Sequence, residues 1–158
     1  MFKVGFGYDR HRLEAGRPFR LGGVEIPAAR GPAGHSDGDA LIHALVDALL
    51  GALGEGDIGR LFPDTDPRFR GAASTGFLED VMGRVEAAGW KVLNVDTVTV
   101  VEEPKIAPHV ERIRDVLCPI MDLERGALGI KAKSAEGLGE VGEGRAVDCW
   151  AVVLLERA

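Results

Sequence analysis

Cysteine is almost absent from this chain: there are two in 158 residues, Cys118 in LCPIM and Cys149 in DCWAVV. Neither has C-x-x-C spacing or a cluster of other ligands beside it, so both are expected to be buried, reduced thiols rather than parts of a disulfide framework. Long apolar runs are missing too. None approaches the ~20 residues of a membrane span, and MFKVGFGYD lacks the charged start and long apolar core of a secretory signal, so no membrane contact and a cytoplasmic location are expected. There is no block of Lys or Arg, and 19 basic against 25 acidic residues give a formal net charge of −6. A nucleic-acid surface needs a basic face to neutralise phosphates, so nucleic acid is excluded as a partner. Any phosphate-bearing ligand must be small, and met by local positive charge, a helix N-terminus or a metal. Internal repeats and linkers are absent, and the glycine-rich AEGLGEVGEG has no G-K-[ST] after it, so it is not a P-loop. The whole of residues 1–158 reads as one domain, large enough to bury a core without disulfides or a structural metal.

What is present is concentrated in YDRH and GHSDGDALIHALVDALLGAL. Asp9 and His11 are two residues apart, so on a strand their side chains leave the same face and make half a metal site. His43 lies inside a strongly apolar helix, where an imidazole is either a hydrogen-bonded core residue or a ligand. Asp, His and His are the donor set of an open, catalytic zinc site, with a fourth position for water or substrate.

Periodicity supplies the frame. FKVGFGYD alternates as a strand, and FRLGGVEIP reads as two short extended pieces turning at Gly22-Gly23. ARGPAGHSDGD reads as a loop. Ser36 with Asp39 approximates a capping box, predicting a helix over about residues 37–53 whose core stripe is Leu41, Leu45, Ala48, Leu49 and Ala52. His43 and Asp47 are spaced i, i+4 on another line, so Asp47 could orient His43. Residues 54–67 read as a loop that folds back through Ile58, Leu61 and Phe62. Ser74 is expected to cap a second helix carrying Phe77, Leu78, Val81 and Val85 inward and ending at Gly89. A strand at 93–101, a helix at about 108–117, the strand LGIKAKS and a long central strand AVDCWAVVLLE complete an α+β fold, a mixed sheet with helices on one face.

Other residues have chemistry to offer beside plainer readings. His35, one residue before the expected cap, is either a solvated loop histidine or, with Ser36, a holder of phosphate oxygens at a helix N-terminus. Lys105 sits at the start of the expected third helix, where the macrodipole disfavours a cation, so its charge is either aimed at a ligand or simply solvated. Asp57 with Asp64 or Asp66 could accept hydroxyls of a polyol while Phe62 and Pro63 cover its carbons. Glu136 is either a surface glutamate or a ligand of a hard cation such as Mg²⁺.

The strings GYDRH, HSDGDALIHALVDALLGALGEGDIGRLFPDTDP, NVDTVTVVEEPKIAPH and IKAKSAEGLG, in this order and covering most of the chain, resemble the 2-C-methyl-D-erythritol 2,4-cyclodiphosphate synthases. The resemblance implies an enzyme of the non-mevalonate isoprenoid pathway, a phosphorus–oxygen lyase. It would cyclise 4-diphosphocytidyl-2-C-methyl-D-erythritol 2-phosphate and release CMP. It also implies Asp9, His11 and His43 as ligands of one Zn²⁺ per subunit, with Asp9 and His11 beside the substrate. Glu136 would hold Mg²⁺ or Mn²⁺ on the diphosphate, and His35 and Ser36 the phosphates. The methylerythritol part would meet Asp57, Gly59, Phe62, Pro63, Asp64, Thr65 and Asp66. His35 and Ser134 would be catalytic, and the active sites would lie between the subunits of a homotrimer. There the neighbour's residues 101–107, with Lys105, and Ala132, Lys133, Ser134 and Ala135 would hold the cytidine.

Two departures stand out. Where the resembled family has a run of threonines after K-A, this chain has Lys133, Ser134 and Ala135; only Ser134 keeps a hydroxyl. Where that family often has an aromatic and an arginine lining a cavity on the threefold axis, this chain has Glu140 and Glu143, with Arg145 two residues on. Isoprenoid diphosphates are therefore expected to bind weakly there, unless Arg145 replaces the missing arginine. The competing readings are a metal-dependent phosphohydrolase, with water as nucleophile, and a non-catalytic nucleotide-binding trimer.

Overall fold

The N-terminal alternation builds a long strand, β1 (Phe2–Ala15), in the computed structural model, which describes residues 1–158. Phe2, Val4, Phe6 and Tyr8 leave one face of β1; Lys3, Gly5, Gly7, Asp9 and His11 leave the other. The glycines decide which face is covered. A Cβ at Gly5 would stand 1.8 Å from the Ala48 carbonyl oxygen, and one at Gly7 1.9 Å from that of Ala44. Helix α1 (Ala40–Leu53) therefore lies directly on the backbone of β1, and the bulky apolar residues face away from it. Phe6 stays 63% exposed, in company with Phe2, Val4 and Val152.

Short strands β2 (Phe19–Leu21) and β3 (Val24–Ile26) pair as a hairpin around Gly22 and Gly23, both with positive φ. The main sheet adds β4 (Arg30–Pro32), β5 (Trp90–Val100), β6 (Leu128–Lys133) and β7 (Ala146–Arg157) in the order β4-β1-β7-β5-β6. β7 is antiparallel to β1 and β5, whereas β5 and β6 run parallel. The sheet is mixed, as expected, and the apolar last strand is central. Near the end of its uncovered face, Asp148 is buried and takes a bidentate pair of bonds from Arg10 at 2.6 and 2.7 Å, with Tyr8 at 3.3 Å.

Helices α1, α3 (Ser74–Ala87) and α4 (Val110–Met121) share one hydrophobic core with the covered face, and α2 (Ile58–Leu61) and α5 (Gly139–Gly142) are single turns. From Ala40 to Leu50 every residue of α1 is buried except Asp47, the pattern of a helix at the centre of a core. Leu41, Leu45 and Leu49 are fully buried, each worth about 1.5–3 kcal/mol. Cys118 and Cys149 are buried free thiols, and burial pushes both thiols up. No helix is long and apolar enough to cross a membrane.

Several expectations are corrected. α1 starts at Ala40, capped by Asp39 rather than Ser36. The Asp39 carboxylate accepts from Ile42 N at 3.1 Å and from Gly22 N and Gly23 N at 2.9 and 2.7 Å, so one buried side chain caps the helix and clamps the hairpin turn. Ser74 does not cap α3: it is the first helical residue after Ala73, and its hydroxyl turns inward. Residues 54–67 are not all loop, because Asp57 caps α2 through Arg60 N at 2.9 Å. Pro108 lies in the 3₁₀ turn Ala107–His109, and α4 begins after it. Lys105 is therefore not at a helix start.

Candidate active site

β1 and α1 bring three donor atoms to one point. Asp9 Oδ2 is 2.8 Å from His11 Nε2 and 3.1 Å from His43 Nδ1, and the two ring nitrogens are 3.1 Å apart. Asp9 and His11 share the covered face of β1, as the spacing predicted, and the absent side chains of Gly5 and Gly7 let His43 on α1 reach them. The other ring nitrogen of His11, Nδ1, donates to the Ala33 carbonyl at 2.7 Å, which leaves Nε2 with its lone pair toward the cluster. Nε2 of His43 lies 2.8 Å from Ser74 Oγ and 3.2 Å from Ser36 Oγ.

The donor set fits a metal. Bonds of about 2.0–2.1 Å in a tetrahedron separate ligand atoms by about 3.3 Å, close to the spacing found. Burial pushes the Asp9 carboxyl up, but hydrogen bonds and charge from His11 and His43 outweigh it and hold Asp9 low. Burial likewise lowers His11, but Asp9 more than offsets it and raises the imidazole. Without a cation a proton must sit among these three acceptors; a bound metal takes its place.

Asp47 does not orient His43. Its carboxylate accepts from Ile58 N at 2.8 Å and so fixes the start of α2; burial, chiefly, pushes its pKa up.

A cavity of about 350 Å³ opens over the triad, lined by His11, His35, Ser36 and His43 on one side and by Gly59, Phe62 and Asp64 on the other. His35 and Ser36 reach it from the loop, not from a helix N-terminus, since Asp39 is the cap. His35 Nε2 lies 3.0 Å from the Asp66 carbonyl. Phe62 stacks on Phe77 at 4.4 Å between ring centroids, with Phe69 edge-on to both at 5.4 and 5.6 Å. Phe69 and Phe77 also wall the cavity; helical spacing points Phe77 inward, and only the fold distinguishes a core position from a cavity wall. Asp57 caps α2, while Pro63 and Thr65 belong to the same loop. Asp66 pairs with Arg68, whose hydrogen bonds hold it below the usual carboxylate range.

Lys105, Ala132, Lys133 and Ser134 come together elsewhere, with Val101 and Ile106, around a small cleft of about 120 Å³ that shares no lining residue with the first. Lys105 Nζ donates to the Glu102 carbonyl at 3.1 Å, and Ala135 N to the Glu102 carboxylate at 3.1 Å. Glu136, with φ +53°, is exposed, accepts from the Ser134 hydroxyl at 3.3 Å and is not part of the triad. Arg145 is held by Glu143 in its own loop.

The comparisons with known proteins agree over the full length. The sequence model of the YgbB family matches residues 2–156. A 2-C-methyl-D-erythritol 2,4-cyclodiphosphate synthase of Chromobacterium violaceum is 49% identical over 158 residues, 100% of both chains, and one of Geobacillus kaustophilus is 45% identical over the same span, again 100% of both. A solved 2C-methyl-D-erythritol-2,4-cyclodiphosphate synthase in its CDP-bound form is 48% identical, with a TM-score of 0.90 over 98% of this chain and 100% of that one. With sequence and fold both matched from end to end, the chain belongs to the YgbB family.

Proposed function

We propose that this chain converts 4-diphosphocytidyl-2-C-methyl-D-erythritol 2-phosphate to 2-C-methyl-D-erythritol 2,4-cyclodiphosphate and CMP, as one catalytic domain over residues 1–158. The observation that carries the reading is the Asp9–His11–His43 triad on the wall of a cavity flanked by His35 and Ser36. The names of the full-length relatives supply the reaction.

The substrate 2-phosphate oxygen attacks the β-phosphorus; the bond from that phosphorus to the bridging oxygen breaks, and CMP leaves with the oxygen and its electron pair. No protein nucleophile is needed, so the chain's work is positioning and charge stabilisation. Zn²⁺, held by Asp9, His11 and His43, supplies Lewis acidity toward a phosphate oxygen when bound. His35 and Ser36 steady phosphate oxygens, with His35 aimed by the Asp66 backbone. Asp57, Gly59 and residues 62–66 receive the methylerythritol part, the aromatic trio closing the apolar side. Lys105, Ala132, Lys133, Ser134 and Ala135 receive the cytidine and its phosphates, with the Ser134 hydroxyl on the reacting group and Glu136 binding Mg²⁺ or Mn²⁺.

Because the two clefts are separate in one chain, a complete site needs a second subunit to bring Ser134 and Lys105 over the triad. The exposed row Phe2, Val4, Phe6 and Val152 suits burial in a homotrimer. Arg145 pairs with Glu143 but lines a cavity with Arg10, Arg12, Arg30 and Glu140, so the charge met there by an isoprenoid diphosphate is set by four arginines and not by the two glutamates alone. The two buried free thiols suit a reducing, cytoplasmic compartment.

Incubation with the cytidyl substrate, Zn²⁺ and Mg²⁺, followed by phosphorus NMR, tests the reading. CMP with a cyclic diphosphate is the expected outcome. An open phosphorus product would indicate a phosphohydrolase, and binding without turnover a nucleotide-binding trimer.

A further inference from the structure

Ser74 and Asp37 are absorbed neither by the core nor by the proposed substrate contacts, yet both are tied to the metal centre. Ser74 is fully buried at the start of α3, with its hydroxyl oxygen 2.8 Å from His43 Nε2. That hydroxyl has one proton, and it donates it in a short hydrogen bond to the Asp37 carboxylate. The Ser74 oxygen can therefore only accept from His43, which puts the His43 proton on Nε2 and the lone pair on Nδ1, toward Asp9 and His11. Asp37 is fixed in turn. It accepts from Ser74 N at 3.0 Å and from Asp39 N at 3.2 Å, and its own N–H donates to the Ala72 carbonyl at 3.1 Å.

We propose that Asp37 and Ser74 are positioning residues for the metal centre: their relay locks His43 in the Nε2–H tautomer, so that its Nδ1 is ready to bind metal. The proposal rests on the metal reading of Asp9, His11 and His43. It also divides labour between two hydroxyls that face the same nitrogen. Ser36 Oγ, at 3.2 Å, takes only a long bond from Gly38 N at 3.4 Å and lines the open cavity, so it is free to turn toward substrate phosphate. Ser74 faces no cavity and stays on His43. Without the relay, His43 can hold its own proton on Nδ1 and donate it to Asp9, and metal binding must then include the tautomer change that moves that proton to Nε2.

The test measures zinc affinity by competition with a chromophoric chelator, on the full chain and on folded variants checked by circular dichroism. Ser74→Ala is expected to raise the zinc Kd about 10- to 100-fold, Ser74→Thr to restore it, and Ser36→Ala to leave it unchanged while raising KM. Nitrogen–proton spectra of the histidine-labelled wild-type chain, free of metal and at alkaline pH, should show His43 protonated on Nε2; they keep the test open even if Ser74→Ala fails to fold. Wild-type zinc affinity in folded Ser74→Ala, an equal loss in Ser36→Ala, or a proton on His43 Nδ1 would overturn the relay while leaving the metal reading in place. A wild-type chain that binds no zinc would overturn both.

Discussion

In the cleft over α1 the ligand side chains are held before any ligand arrives: His11 by the Ala33 carbonyl, His43 by Ser74, His35 by the Asp66 carbonyl. In the cleft beside β6 the chemistry is loose. The Lys105 side chain is 68% exposed and bonds only to its own loop, and Ser134 points at its neighbour Glu136. Rigid supports fix geometry, whereas an exposed lysine keeps its rotamer freedom until a ligand or a partner orders it. On the proposed reading, the contrast teaches that one chain carries a finished metal half-site and an unfinished nucleotide half-site.

The largest effect should come from emptying the finished half. His43→Ala is expected to lose stoichiometric zinc by elemental analysis and about three orders of magnitude in kcat, with the fold kept, because the core does not depend on the metal. Zinc retained at one per chain would break the comparison at its stronger side.

Support behind that half-site comes next. Asp39→Ala removes the α1 cap and strands the buried N–H groups of Gly22 and Gly23, which should cost about 3 kcal/mol in urea unfolding. A loss within the range of an exposed substitution would show that the hairpin clamp contributes little.

The smallest effect is in pH. Asp9 is held low, so in the metal-free chain its contribution to stability is present above its unfolded pKa and fades as pH falls through the lowered value. His11 is raised, so its contribution is full below its unfolded pKa and is lost as pH rises through the raised value. Metal-free protein should therefore be relatively most stable between the two. The gain in Tm from added zinc should grow as pH rises through the raised His11 pKa, because the proton no longer competes. Thermal melts with zinc and with chelator across that range check the sign; a zinc gain that shrinks with rising pH would contradict it.

Much of this was legible in the chain. The Asp9-x-His11 spacing on a strand and His43 on an apolar helix predicted the triad, alternation predicted β1, and the apolar run AVDCWAVVLLE predicted the central β7. What escaped depended on tertiary partners. Ser36, Asp37 and Asp39 are all acceptable caps by type, and Asp39 prevails because the β2–β3 turn offers it two further donors. Ser74 looked like a cap for the same reason of type, but His43 and Asp37 claim its hydroxyl from 31 and 37 residues away. Spacing on one helix suggested that Asp47 serves His43, whereas α2 folds back to use it. Phe2, Val4, Phe6 and Tyr8 would be taken for the inward face by hydropathy alone; the two glycines opposite them reverse that assignment.

The most direct test of the two-halves account mixes chains inactive at His43 with chains inactive at Lys105. His43→Ala keeps the nucleotide half and Lys105→Ala the metal half. Assemblies re-formed from both should recover activity that neither parent has, at those sites where an intact half from each chain meets. Mixed assemblies verified by native mass spectrometry that stay as inactive as either parent would contradict the account, and would place both halves of each site within a single chain.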